Sequence, residues 1–152
     1  MENKIDKMPE ITLKYKASSV KKIKLTNSYE VSEYLKNIRE IYNDETINLY
    51  ESYIVVFLNR ALEAIGWIRI SQGGMSGTVV DVRLIFSTAL KCAASGLITS
   101  HNHPSGNNSP SESDIKTHKQ IKDAATFLSI EIIDNLIITD DQYYSFAENG
   151  IL

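Results

Sequence analysis

The sequence predicts one α/β domain, and three of its features carry that expectation. Runs of strand character alternate with runs that repeat apolar residues at helical spacing. Tyr53–Leu58 (YIVVFL) is apolar at every position, as in a strand covered on both faces. Leu97–Ser100 (LITS) is another short strand-like run, and it leads into a polar loop followed by a strong helix start. A chain of 152 residues is long enough for a single substantial core.

The elements follow in order. Ile11, Leu13 and Tyr15 alternate with Thr12 and Lys14, a half-buried strand pattern, and Ile23–Leu25 reads as a second short extended piece. Asn27, with Glu30 three residues on, predicts a helix N-cap and its capping-box partner. Val31, Leu35, Ile38 and Tyr42 then recur at helical spacing, widened by Tyr34 and Ile41, until Asn43-Asp44 ends the helix. Tyr53–Leu58, a turn at Asn59–Glu63 and a returning strand at Ala64–Ile70 make a hairpin. Ser71–Thr78 is glycine-rich but lacks the phosphate-loop lysine and the dinucleotide glycine spacing, so it reads as a structural loop. Asp81 caps a helix from Val82 to about Ser95, with Ile85, Phe86, Ala89, Leu90 and Ala93 buried and Gly96 as its stop. Beyond Leu97–Ser100, Ser109 as N-cap, Pro110 and Glu112 start a helix that runs to Phe127, with Ile115, Ile121, Ala125 and Leu128 on one side. Ile130–Ile133 and Leu136–Thr139 read as two strands, Asp140-Asp141 as a turn, and Tyr143–Phe146 as a last extended piece.

Composition narrows the class. The 43% hydrophobic and 23% charged fractions are those of an ordinary soluble domain. The only cysteine, Cys92, allows neither an internal disulfide nor a cysteine-based zinc cluster, and suits a reducing cytoplasm. No apolar run approaches the roughly 20 residues of a membrane span, and the N-terminal MENKIDKMPE has no signal-peptide core. A cytoplasmic protein with no membrane partner is expected. A formal net charge of -3 does not advertise nucleic-acid binding. Lys14, Lys16, Lys21, Lys22 and Lys24 cluster early, which fits a solvated strand edge guarded by lysines better than a contact to a polyanion.

The chemistry concentrates after Leu97–Ser100. His101 and His103 lie one residue apart on a strand-like run, so their side chains point the same way. Asp114 sits just inside the next helix. Two imidazoles and one carboxylate are the ligand set of a hydrolytic zinc site that keeps its fourth position open for water. His118, four residues past Asp114, shares its helix face and could ligate in its place, but reads as a solvated helix histidine.

The full pattern is His101-Asn102-His103-Pro104, six residues, Ser111, two residues, Asp114. It resembles the JAMM motif of the JAB1/MPN metalloprotease superfamily, and the wording HNHPSGNNSPSESD is similar to that of the bacterial RadC-like branch. The likeness runs from about Glu51 to the C-terminus. It implies a three-layer α-β-α fold with a mixed central sheet, the architecture shared with cytidine deaminases. Residues 51–152 would then form a RadC-like JAMM/MPN domain, with 1–50 an N-terminal strand and helix packed onto it. It also implies one Zn2+ ion on His101, His103 and Asp114, Glu51 as general base, Ser111 as a hydrogen-bond donor to the oxyanion, and a peptide or isopeptide substrate. Glu63 is the next candidate base, but the hairpin puts it at the far end of the strand from Glu51. Many RadC-like sequences have a further acid in the second hairpin strand, where this chain reads Trp67-Ile68-Arg69.

Two other classes compete. RadC-like proteins carry a DNA-repair label, which implies a DNA-associated or interaction module. The helix-hairpin-helix region that supports it in longer relatives has no counterpart in the first fifty residues. A nucleoside deaminase would need His-x-Glu and Pro-Cys-x-x-Cys, which a single cysteine and Asn102-His103 rule against. An exposed hairpin edge could pair two copies in a homodimer.

Overall fold

A computed structural model describes residues 12, 14–16, 22–38, 41–42, 45–73 and 79–152 of the chain. Five strands form one sheet in the order β2-β1-β3-β4-β5. They are β1 (Ser52–Leu58), β2 (Ala64–Gln72), β3 (Gly96–Asn102), β4 (Glu131–Ile138) and β5 (Tyr143–Ser145). β1 pairs antiparallel with both β2 and β3, β3 runs parallel to β4, and β5 returns antiparallel to β4. The sheet is therefore mixed. Helix α1 (Ser28–Asn37) covers one face, while α2 (Val82–Lys91) and α3 (Glu112–Phe127) cover the other.

Period-two alternation divides the strands between two cores. Ile54, Val56, Leu58, Ile98, Leu136 and Ile138 join Val31, Leu35, Ile41 and Tyr42 on the α1 side. Tyr53, Val55, Phe57 and Leu97 join Ile85, Phe86, Ala89, Ile121 and Ala125 on the side of α2 and α3. β1 and β3 are buried along their whole length, so YIVVFL is the doubly covered central strand that its composition predicts. The three-layer α/β expectation holds.

Several boundaries differ from the sequence reading. Asn27 caps α1 through the Glu30 N–H, but the Glu30 carboxylate accepts from Thr26 and does not close the capping box. The helix stops at Asn37 because Ile38 turns extended, and Ile41 and Tyr42 reach the core from non-helical chain. α2 ends at Lys91, well before Gly96. Ala93 adopts a left-handed φ of 53° and the Ala94 N–H donates to the Ala89 carbonyl, a helix stop without glycine. Leu90 and Ala93 consequently face solvent, and Ala94 is buried instead. Gly96 serves another purpose, since a Cβ there would meet the Ile133 side chain of β4 at 3.3 Å. α3 starts two residues later than expected, with Ser111 as its N-cap in place of Ser109. Ile115 is half exposed, and His118, Ile121 and Ala125 make the buried stripe. The Ile23–Leu25 piece is extended, with Lys24 bridging Glu63. Ile11, Leu13, Lys21 and residues 74–78 of the glycine-rich loop lie outside the described residues, and Thr12 and Lys14–Lys16 form no strand. No helix among the described residues is long and apolar enough to cross a membrane.

The largest correction is β4. Ile130–Ile133 and Leu136–Thr139, read as two strands, merge into one strand that continues through Asp134 and Asn135. A buried carboxylate is tolerated when its lone pairs are filled, and Asp134 accepts from the Ser28 and Ser145 hydroxyls at 2.8 and 2.7 Å and from the Asn135 and Ala147 N–H groups at 2.7 and 3.1 Å. One side chain thus ties the first turn of α1 to β4, β5 and the turn that follows. Asp134→Ala would orphan these donors inside the protein and should cost about 3 kcal/mol, a drop of roughly 10 °C in Tm for a domain of this size, measured by thermal denaturation against wild type.

Candidate metal centre

β3 is the central strand, and its C-terminal end delivers His101 and Asn102, with His103 the next residue. Alternation puts both imidazoles on the face of α2 and α3, while Asn102 points through to the other side. The His101 and His103 Nε2 atoms come within 3.1 Å of one another. His103 is oriented from behind, where its Nδ1 meets the Asn107 carbonyl at 2.6 Å. A carbonyl only accepts, so Nδ1 carries a proton, and Nε2 is the nitrogen that faces His101 and Asp114. The intervening turn closes with the Gly106 N–H on the His103 carbonyl, at a left-handed φ of 79° that glycine adopts without strain. His101 is buried and lies parallel to the Tyr53 ring, their centroids 5.7 Å apart.

Asp114 is the third helical residue of α3. Its Oδ1 lies 3.2 Å from His101 Nε2 and its Oδ2 lies 3.4 Å from His103 Nε2. A capping box holds it there: the Ser111 hydroxyl accepts from the Asp114 N–H, and Asp114 Oδ2 accepts from the Ser111 N–H at 2.7 Å. The Ser111 hydroxyl also approaches Oδ2 at 2.7 Å. Ser111 is thus the helix cap, which the sequence reading had given to Ser109, and also the group that orients the carboxylate.

Glu51 stands just before β1. Because β1 runs antiparallel to β3, its start lies beside the end of β3, with Tyr53 opposite His101. Asn102 fixes this approach from the other face. Its side-chain amide donates to the Ile47 and Tyr50 carbonyls at 2.7 and 2.9 Å, and its oxygen accepts from the Ser52 N–H at 2.8 Å. Three bonds therefore bracket Glu51. The Gly73 N–H adds a fourth from the end of β2, on the Glu51 carbonyl. Sequence reasoning missed Asn102, although its place between two histidines on a strand already sent it to the opposite face.

These groups share one cleft of about 370 Å3, lined by Glu51, Tyr53, His101, His103, Ser111 and Asp114 among others. Burial raises the Glu51 carboxyl above the ordinary range, against the pull of both histidines. Burial also works to raise Asp114, but hydrogen bonds from His101, His103 and Ser111 prevail and hold it well below the usual carboxylate range. The Asp114 hydrogen bond raises His103, with burial opposing.

Two imidazoles and one carboxylate suit a zinc ion. His101 Nε2 and His103 Nε2 are 3.1 Å apart, and the carboxylate turns Oδ1 to the first and Oδ2 to the second, so one ligand atom from each residue lies within 4.8 Å of the others. Among the described residues, His101, His103 and Asp114 are the group of such side chains close enough to hold an ion together.

Other expected candidates lie elsewhere. Glu63 accepts from the Asn59 side chain in the hairpin turn and is no part of the cleft. Trp67 and Arg69 pair with Val56 and Ile54, on the α1 side of the sheet, so an acid at either position would face away from His101 and His103. His118 is buried against Phe146, not solvated, with its rings 4.9 Å apart, and burial lowers its pKa.

The family model of the RadC-like JAB domain matches residues 25–151. A UPF0758 protein of Flavobacterium johnsoniae is 47% identical over 102 residues, 67% of this chain and 44% of that protein. A UPF0758 protein of Porphyromonas gingivalis is 45% identical over 103 residues, with 67% and 45% covered, and one of Clostridium perfringens is 30% identical over 145 residues, with 95% and 61% covered. The chain spans about half the length of the curated relatives it matches. The extent of the family match, over a fold and a motif that agree with it, makes this chain a member of the RadC-like JAB domain family.

Proposed function

We propose that this domain is a zinc-dependent hydrolase that cleaves a peptide or isopeptide amide bond. The observation that carries the reading is the convergence of His101, His103 and Asp114, one ligand atom from each within 4.8 Å of the others, with Glu51 on the wall of the same cleft. When bound, a zinc ion supplies Lewis acidity, polarising a carbonyl and bringing the pKa of water toward about 7.

The chain's own residues do the rest. Glu51, half buried and with its pKa raised, accepts the proton of the attacking water and returns it to the leaving amine, as a base tuned toward the working pH does best. Asn102 holds the backbone on both sides of Glu51, so the carboxylate meets the reaction in one position. Ser111 offers its hydroxyl to the developing oxyanion, exchanging its bond to Asp114 for this one.

Zinc content and peptidase turnover test the reading together. His103→Ala should lose zinc. Glu51→Gln should keep it and lose turnover by about 10²–10⁴-fold. A wild-type protein that takes up no zinc ends the proposal. Asn102→Ala should also retain zinc while lowering kcat, because the bonds it removes bracket the base and not the ligands.

Zinc uptake should weaken as pH falls through the raised pKa of His103, since the proton occupies the lone pair the ion needs. A chelator competition series across neutral pH measures it. Without metal the sign reverses. Bonding to Asp114 then stabilises the fold fully below the ordinary imidazole value of about 6.5, and that contribution is lost as pH rises through the folded value. Thermal denaturation of metal-free protein reads this second effect.

A further inference from the structure

His118 is the last of the chain's three histidines and does not line the metal cleft. It stands in the middle of α3, is 4% exposed, and packs its ring on Phe146 with centroids 4.9 Å apart. Phe146 is wholly buried and fixed in its turn. Its N–H donates to the Asn135 carbonyl of β4 at 3.0 Å, and its ring meets Tyr144 edge-on at 5.9 Å. The rest of the buried stripe of α3 is apolar, formed by Ile121 and Ala125. His118 is the polar residue in it.

A neutral imidazole has one donor and one acceptor. Among the described residues neither ring nitrogen of His118 meets a partner, a rare condition for a buried polar group. The charged groups that act on the ring give it no bond either. Lys122, one turn further along α3, repels a charged imidazole, and Asp134 on β4 attracts one. The Asp134 carboxylate is committed to Ser28, Ser145 and two backbone N–H groups. Phe146 presents an uncharged ring. Burial first, and Lys122 second, hold the His118 pKa below the ordinary 6.5. An apolar side chain of similar size would fill the same space with no orphaned atom. What the imidazole adds is a charge that switches near neutral pH.

We propose that His118 is an acid-sensitive latch: the neutral ring seats α3 on Phe146, and the protonated ring leaves that seat, so that α3 is the first element to come away from the sheet. A charged ring is costly where it stands. The unfolded chain takes up the proton at about pH 6.5 and the folded chain only at a lower pH. The stability tied to His118 is therefore full above 6.5 and is lost as pH falls through the folded value. From this one group the unfolding equilibrium constant rises by up to about tenfold per pH unit over that interval. The sign is opposite to that of His103 in the metal-free protein. The first turn of the same helix lines the cleft, so acid loosens one side of it. The inference does not depend on the hydrolase reading.

The experiment follows the full chain from about pH 7.5 to about pH 5, across the imidazole range, by thermal denaturation and amide hydrogen exchange. Wild type and His118→Phe are compared as purified and again after chelation. In both states wild type should lose stability more steeply than the variant as pH falls, and should lose protection in α3 before β1 and β3. His118→Phe should keep its α3 protection through the same range. The His118 signal, assigned by its absence from the imidazole spectrum of the variant, should titrate below 6.5 in folded wild type. Equal pH dependence in the two proteins overturns the proposal, as does a His118 ring that titrates at or above 6.5. Should the phenylalanine variant not fold, His118→Leu is measured in its place with the same expectation, and the wild-type titration still decides. A chain that takes up no zinc ends the hydrolase reading and leaves this comparison intact.

Discussion

The antiparallel pairing of β1 with β3 governs the placement of everything at the cleft. It sets the beginning of one buried strand against the end of another, so residues far apart in sequence open onto one rim. Asn102 turns that adjacency into a fixed distance. Both its amide protons and its oxygen are engaged by the segment from Ile47 to Ser52. The same strand position that sends Asn102 to one face sends its neighbours to the other. His101, His103 and Glu51 are therefore registered to each other through adjacent residues of β3.

The capping box of α3 is the second constraint. A carboxylate in the first turn of a helix is favoured by the exposed N–H groups there. Asp114 meets that need while facing two imidazoles, so local helix physics and the site's geometry require the same rotamer. Its depressed pKa follows from these bonds overcoming the desolvation they accompany. The carboxylate is thus ionised over the whole range in which the protein would work.

How much of this was legible depended on how local each signal was. His101, His103 and Asp114 could be read because strand alternation and helix position act within a few residues. YIVVFL could be read because both faces of a central strand are apolar. Ser109 looked the better cap on sequence, since Pro110 and Glu112 follow it at suitable offsets. Ser111 holds the position, and Asp114 answers it reciprocally. The continuity of β4 was hidden for a different reason. Asp134 looks like a strand breaker until Ser28 and Ser145, 106 and 11 residues away, fill its lone pairs. Asn102 was legible in direction but not in role, because its partners belong to another strand's approach.

Ala93 and Ser129 both stand at φ values above 50° immediately after a helix, where a side chain crowds its own backbone by about 1–2 kcal/mol. Each reverses the chain so that β3 or β4 can start directly beneath the helix just completed. Both strained residues lie at the opposite end of these strands from the cleft. The protein consequently holds slack that an engineer could remove with glycine, tightening the scaffold from its rear without disturbing a single atom that would meet substrate.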